Sequence, residues 1–272
     1  MDKYFLTRDD IKLRYREDYL DNPKAVVIIV HGFAEHIGRY DYVAKKLNDA
    51  GYSVFRYDAR GHGMSSGKKG HMNSYVDMVD DLYEIYNLVK NENPNMKIYT
   101  LAHSMGGNIA ANFGIKHPNI LAGQLFSGAA LGYFQDVDTM KKLGVSVLGT
   151  IASNKYISNP AGDICSDQKV VEDYQNDPLV LKEATLGFFK EFSIKASKNI
   201  FDNTKNYNYP CYLGHGGDDR IISNKASKRF YDEISSEDKT IKIYPDLYHE
   251  IFNEKVKDSV IIDYIEWLDE RA

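Results

Sequence analysis

Lys97-Ile98-Tyr99-Thr100-Leu101-Ala102-His103-Ser104-Met105-Gly106-Gly107 is the stretch on which the reading of this chain turns. The apolar run from Ile98 to Leu101 predicts a buried strand, and a helix is expected to follow the glycines as far as about Lys116. Ser104 stands on the sharp turn between them. A serine in that position is held at strained backbone angles, so the residues two before and two after it must be small. Here they are Ala102 and Gly106. The strict pattern has glycine at the first position, and Ala102 departs from it by one methyl group. The competing reading is an ordinary helix start with Ser104 as its cap. The surrounding chain has to decide between a nucleophile and a cap.

Upstream, Val26 to His31 is a β-branched run without alternation, as expected of a strand covered on both faces in a parallel sheet. Helix-spaced apolar residues from Tyr40 to Ala50 follow, closed by Gly51, and Ser53 to Tyr57 reads as the next strand. A glycine-punctuated loop, Asp58 to Ser65, leads into an amphipathic helix from about Ser74 to Val89. Before all of these, Tyr4 to Thr7 and Ile11 to Arg16 flank Arg8-Asp9-Asp10 as an antiparallel edge hairpin. Downstream of the central stretch, Gly123 to Ser127 is a further short strand. Strand and helix in alternation predict a doubly wound α/β sheet.

From Leu131 to about Asn206 the rhythm stops, and no strand is expected there. Short helical patterns are broken by Gly144, Gly149, Pro160, Gly162, Pro178 and Gly187. The segment is too long for a plain loop and reads as an inserted helical subdomain. The expected organisation is a core from 1–130, a helical cap insertion at 131–206, and the rest of the core at 207–272. That last part holds a strand from Tyr209 to Gly214, a helix around Ser223 to Ile234, a strand from Thr240 to Tyr244 and a closing helix from Val256 to Arg271.

Composition narrows the function. Among 272 residues, 43% hydrophobic and 27% charged describe an ordinary globular protein. A net charge of -5 without a basic stripe argues against a nucleic-acid partner. Met1-Asp2-Lys3-Tyr4 lacks the apolar region of a signal peptide, and Ala25 to Val30 is too short to span a bilayer, so a cytoplasmic protein is expected. Cys165 and Cys211 sit in unrelated contexts and read as buried or incidental thiols.

Ligands of an open parallel sheet gather at the carboxyl ends of its strands, and a hydrolase built on such an elbow orders its chemistry as nucleophile, acid, histidine. Of the eight histidines, His31, His36, His62, His71 and His103 precede Ser104, and His117 ends the elbow helix. His215 lies before any acid that could orient it. His249, just past the last expected strand, is left as the base. Asp218 and Asp219 both follow the strand Tyr209 to Gly214. The turn needs about three residues after that strand, which favours Asp219. Asp136 and Asp138 are weaker alternatives. In this reading Asp219 fixes the tautomer of His249, which takes the proton from Ser104 as Ser104 attacks an acyl carbonyl. Met105 N–H, at a helix start, supplies one oxyanion donor, and Phe33 N–H, in the turn after His31-Gly32, supplies the second. His31 itself reads as a brace for that loop. Metal hydrolysis fails on Asn253, where a His-Glu-x-x-His zinc motif starting at His249 needs histidine. No phosphate loop or dinucleotide fingerprint follows a strand, so no cofactor and no metal are expected.

Several blocks together resemble the monoacylglycerol lipase and lysophospholipase branch of the serine α/β-hydrolases. They are His31-Gly32-Phe33-Ala34-Glu35-His36 with Gly38-Arg39-Tyr40, Asp58-x-Arg60-Gly61-His62-Gly63-x-Ser65, and the elbow. Asp177-Pro178-Leu179-Val180, Gly216-x-x-Asp219-Arg220 and Tyr248-His249-Glu250 with Asn253-Glu254 follow in the family's order. The resemblance implies the α/β-hydrolase fold, Ser104, Asp219 and His249 as catalytic triad, and Phe33 and Met105 as oxyanion donors. It also implies that Leu131 to about Asn206 caps an acyl-binding tunnel.

The expected function is hydrolysis of monoacylglycerols or similar single-chain acyl esters. Neighbouring branches with the same core make an esterase for aromatic, cinnamoyl-type acyl esters, or an aminopeptidase, the alternatives. An aminopeptidase needs a cap carboxylate for the substrate amine, for which Glu172, Asp173 and Glu183 are available. A non-catalytic binding protein would be expected to lack a triad member. The apolar stretch Leu143 to Ile151 is read either as cap packing or as a surface, hinged at Gly144 and Gly149, that docks transiently on lipid aggregates.

Overall fold

The computed structural model describes residues 2–132, 148–159 and 162–272. Its centre is an eight-stranded sheet. In chain order the strands are β1 (Lys3–Leu6), β2 (Lys12–Asp18), β3 (Val26–Val30), β4 (Ser53–Tyr57), β5 (Ile98–His103), β6 (Gly123–Ser127), and, after a separate pair, β9 (Cys211–Gly216) and β10 (Lys239–Tyr244). They lie in the order β1-β2-β4-β3-β5-β6-β9-β10. All pairings from β4 to β10 are parallel, and β1 and β2 form the antiparallel edge.

Alternation of side chains along β3 builds the layers. Val26, Ile28 and Val30 point into one apolar cluster with Leu82 and Ile85 of helix α2 (Tyr75–Glu92) and Ile109 of helix α3 (Met105–Lys116). Val27 and Ile29 point the other way, to Val43 and Leu47 of helix α1 (Asp41–Asp49) and to Val260, Tyr264 and Leu268 of the last helix, Lys257–Asp269. Every residue of β3 is therefore buried, and each such side chain removed from water contributes about 1.5–3 kcal/mol. This double coverage is why the run shows no polar alternation.

The sheet puts β5 beside β3 on one side and β6 on the other, with Ala102 in register with Val30 and Phe126. The Ala102 methyl is accommodated, fully buried. Gly106 has no such latitude: a β-carbon there would run into the carbonyls of Val30 and His31. The small-residue demand of the elbow thus falls on the helix side, where the helix passes over the end of β3.

Two boundaries differ from the sequence expectation. The strand expected at Tyr209 to Gly214 runs from Cys211 to Gly216, because Pro210 has no N–H for the ladder. The segment expected to hold no strand contains β7 (Tyr156–Ser158) and β8 (Glu183–Thr185), paired antiparallel. Three residues are too few to show alternation, so this ribbon is invisible in the sequence. Helices of the described segment lie at Gln168–Asn176 and in continuous helical turns from Leu186 to Asp202. Phe188, Phe192 and Ile200 of that run join the main core cluster. Asp136, Asp138, Gly144 and Val147 lie outside the described residues. Cys165 and Cys211 are buried free thiols, each pushed up to about 12 by burial, which keeps them protonated at neutral pH.

Candidate active site

Ser104 has φ 50° and ψ -115°, a left-handed conformation in a non-glycine residue at the start of α3. Strain of this kind costs about 1–3 kcal/mol and persists only where the surroundings impose it. They do so here. Its N–H donates to the Ser127 carbonyl at 3.0 Å, and its own carbonyl accepts from Asn108 N–H at 3.2 Å and Ala130 N–H at 3.0 Å. The hydroxyl is left to a cavity of about 350 Å³ that Ser104 and His249 both line.

His249 arrives from the loop after β10. Its Nδ1 lies 2.7 Å from Asp219 Oδ2, and its ring is 4.7 Å from that of His103. Burial works against a charge on His249, but the Asp219 carboxylate, with Glu250 and Glu35 beyond it, outweighs burial and raises the imidazole above its ordinary 6.5. Asp219 moves the opposite way: burial would raise it, yet His249 and His215 hold it well below the usual carboxylate range. The two shifts agree on a stable carboxylate and imidazolium once His249 has accepted a proton. The neighbouring Asp218 is exposed, and its N–H donates to the Leu247 carbonyl at 3.0 Å. Of the two aspartates left open by position, the fold brings Asp219 to the histidine.

Met105 follows Ser104 in the chain, and Phe33 lines the same cavity as Ser104. A β-carbon on Gly32 would lie 3.2 Å from Ser104 Cβ and 2.6 Å from Glu35 Oε2, so the turn comes this close only because residue 32 is glycine. Among the described residues no hydrogen bond occupies Phe33 N–H or Met105 N–H. His31 braces this turn: its Nδ1–H donates to the Gly32 carbonyl at 2.7 Å and its Nε2 accepts from Ala59 N–H at 2.9 Å. His103, tied to the Ser127 carbonyl at 2.8 Å, is pushed down to about 4 by burial and by His249, and stays neutral.

The cavity lining joins apolar side chains, Phe33, Ile157, Ile164, Phe189 and Ile221, with the carboxylates of Glu35 and Glu250. Both carboxylates pair with Arg39, at 3.0 Å and 2.6 Å. Burial pushes Glu35 up, but His103, Arg39 and the Tyr40 hydroxyl bring it below the ordinary carboxylate range. Burial together with the charge of Glu35 raises Glu250, against the pull of Arg39. Sequence reading missed this pair as functional; the i, i+4 spacing of Glu35 and Arg39 was the available signal. The blocks around His36 and Asp177 meet through a 2.8 Å contact, and Leu181 N–H donates to the Ala34 carbonyl at 3.0 Å. These contacts fasten the segment that follows β6 to the turn that follows β3. Among the described residues, no group of three or more His, Cys, Asp and Glu side chains is arranged to hold a metal ion. No described helix is long and apolar enough to cross a membrane.

Comparison with known proteins agrees with this geometry. Residues 21–256 match the family described as serine aminopeptidase, S33. A monoacylglycerol lipase of Mycolicibacterium smegmatis is 33% identical over 248 residues, covering 91% of this chain and 89% of that protein. The crystal structure of a Paleococcus ferrophilus monoacylglycerol lipase superposes with a TM-score of 0.85 at 26% identity, covering 96% of this chain and 99% of that one. For the fold alone, a soluble variant of the Saccharomyces cerevisiae monoglyceride lipase gives a TM-score of 0.87 at 24% identity, over 99% and 95% of the two chains. The chain belongs to the serine aminopeptidase S33 family of α/β-hydrolases, in the branch that holds the monoacylglycerol lipases, and is a serine carboxylic ester hydrolase.

Proposed function

We propose that this enzyme hydrolyses monoacylglycerols and similar single-chain acyl esters through an acyl-enzyme on Ser104. The observation that carries the reading is the cavity at Ser104, whose lining combines apolar side chains suited to one acyl chain with the carboxylates of Glu35 and Glu250, both held by Arg39, suited to a small hydroxylated alcohol. His249 takes the Ser104 hydroxyl proton as Oγ attacks the ester carbonyl. The oxyanion is held by Phe33 N–H and Met105 N–H, and the proton passes from His249 to the departing alcohol. Water then attacks the acyl-enzyme by the same route, releasing the fatty acid and restoring Ser104. In this reading the segment 131–206 acts as the cap, since Ile157, Tyr174 and Phe189 roof the cavity.

An aminopeptidase is less well supported, because a substrate ammonium needs a free carboxylate. Glu172, Asp173 and Glu183 are exposed and do not line the cavity, while the two carboxylates that do are already paired to Arg39. The test is a rate series over p-nitrophenyl esters of increasing chain length, monoacylglycerols, cinnamoyl esters and aminoacyl amides. Monoacylglycerols are expected to give the highest kcat/KM and aminoacyl amides no measurable turnover. Preferred cleavage of the amides or of the aromatic esters would overturn the assignment.

Docking on lipid aggregates belongs to the same reading. Part of the stretch Leu143 to Ile151, including Val147, lies outside the described residues, but Leu148 and Ile151 are 51% and 79% exposed, and Ile157 on the cavity wall is 38% exposed. Leu148→Asp with Ile151→Asp is expected to raise KM several-fold for long-chain substrate presented in micelles and to leave a soluble short-chain ester unaffected. Equal loss on both substrates would mean that these residues support the fold instead.

A further inference from the structure

His215, the last-but-one residue of β9, lies in the sequence before the acid that could orient it, yet the fold seats it on Asp219. Its side chain is fully buried. Its Nε2 lies 3.0 Å from Asp219 Oδ2 and 2.9 Å from the Ile222 carbonyl oxygen. Both neighbours are acceptors, so the ring proton is on Nε2. On the other side Nδ1 lies 2.8 Å from Ser227 Oγ, and in the neutral ring Nδ1 accepts the Ser227 hydroxyl proton. The two acceptors at Nε2 fix the tautomer of His215, as Asp219 fixes that of His249, and the Ser227 hydroxyl orients to match.

We propose that His215 is a positioning residue for catalysis: by donating to the same oxygen of Asp219 that faces His249, it sets both the aim of that carboxylate and the basicity of His249. The proposal rests on the reading of Ser104, Asp219 and His249 given above. Asp219 receives four donors. Ile221 N–H and Ile222 N–H bind Oδ1 at 2.8 Å and 2.9 Å, while His249 Nδ1 and His215 Nε2 share Oδ2. The two backbone donors alone would leave the carboxylate free to swing about Oδ1; the bond to His215 closes the other side. It also withdraws charge from Oδ2, so that His249 faces a weaker acceptor than an unshared carboxylate. The groups facing His249 are Asp219, the neutral His103 ring, and Glu250 and Glu35 on the cavity wall. Those facing His215 are Asp219, Ser227 and the Ile222 carbonyl. His215 reaches His249 through Asp219.

The experiment compares the full-length enzyme with His215→Phe, His215→Gln and Ser227→Ala by pH profiles of kcat/KM on a soluble ester. The same proteins, labelled on histidine, are titrated by NMR to follow the His249 ring. Phenylalanine removes the donor. It is expected to lower kcat on the order of 10-fold with KM little changed, as a loosened catalytic geometry does. With the acceptor no longer shared, the acidic limb, which reports protonation of His249, should move up by about half a pH unit or more. Glutamine offers an amide N–H near the Nε2 position and should recover most of the rate and return the limb. A folded His215→Phe protein with native kcat and an unmoved limb overturns the proposal, as does a rate loss without a limb shift that glutamine does not repair. Where phenylalanine does not fold, Ser227→Ala carries the test, since it removes the hydroxyl that polarises the His215 ring and so weakens Nε2–H as a donor to Asp219: the limb should move the same way by less, and a fixed limb overturns the proposal. If Ser104 proves not to be the nucleophile, the function proposed above fails, and the NMR titration still decides this one, since an unchanged His249 pKa would refute it without reference to turnover.

Discussion

Ser104→Ala should lower kcat for ester hydrolysis by a factor on the order of 10³ or more while the protein stays folded. The backbone angles at residue 104 are imposed by hydrogen bonds from its own N–H and carbonyl, which alanine keeps. The hydroxyl makes no hydrogen bond among the described residues, so its removal costs the fold little. What is lost is the atom that attacks. Thermal unfolding and kcat on the same preparation separate the two effects, and an organophosphonate should label Ser104 in the native protein alone. Near-native turnover by the purified variant would end the serine mechanism.

A second large effect is expected at Asp219. All four groups around its carboxylate are donors: the Ile221 and Ile222 amides on Oδ1, and His249 and His215 on Oδ2. In Asp219→Asn the NH2 group must meet donors whichever way the amide turns, so either the backbone turn or the histidine loses its partner. The stabilising charge for the His249 imidazolium is lost as well. Together these should reduce kcat by about 10⁴-fold, as for a triad histidine held in the wrong tautomer. Asp218→Asn, one residue away but exposed, should change kcat by less than about 2-fold, in the range of ordinary surface substitutions. Steady-state kinetics on the two variants decide the assignment, and the reverse ranking would move the acid to Asp218. The pH dependence follows from the same contact. His249 must be neutral to act as base, and Asp219 raises its pKa, so activity is present above that raised value and falls as pH drops through it. The acidic limb of the native profile should therefore lie above pH 6.5.

The elbow, the strand and helix rhythm and the order of serine, aspartate and histidine were legible in the chain because each is local. A strand buried on both faces writes its burial as an unbroken apolar run, as in Val26 to Val30, and a strained turn writes its demand as a small residue two positions on, as at Gly106. These are properties of neighbouring residues and survive without any knowledge of the fold. Partnership across the fold is different. In the sequence Asp219 is favoured over Asp218 by spacing and by the resemblance of its block, and in the fold the turn after β9 buries the Asp219 side chain against His249 and leaves Asp218 exposed. The sequence carried no sign that His215 would share Asp219 with His249, because the loop that brings His249 there starts from β10, the strand beside β9. Glu35 and Glu250, more than two hundred positions apart, meet on Arg39 because β3 and β10 run parallel and deliver their loops to the same carboxyl end of the sheet. The backbone period and turn chemistry of this protein are written residue by residue, whereas the charges that surround its serine are set by strand order, which only the folded sheet determines.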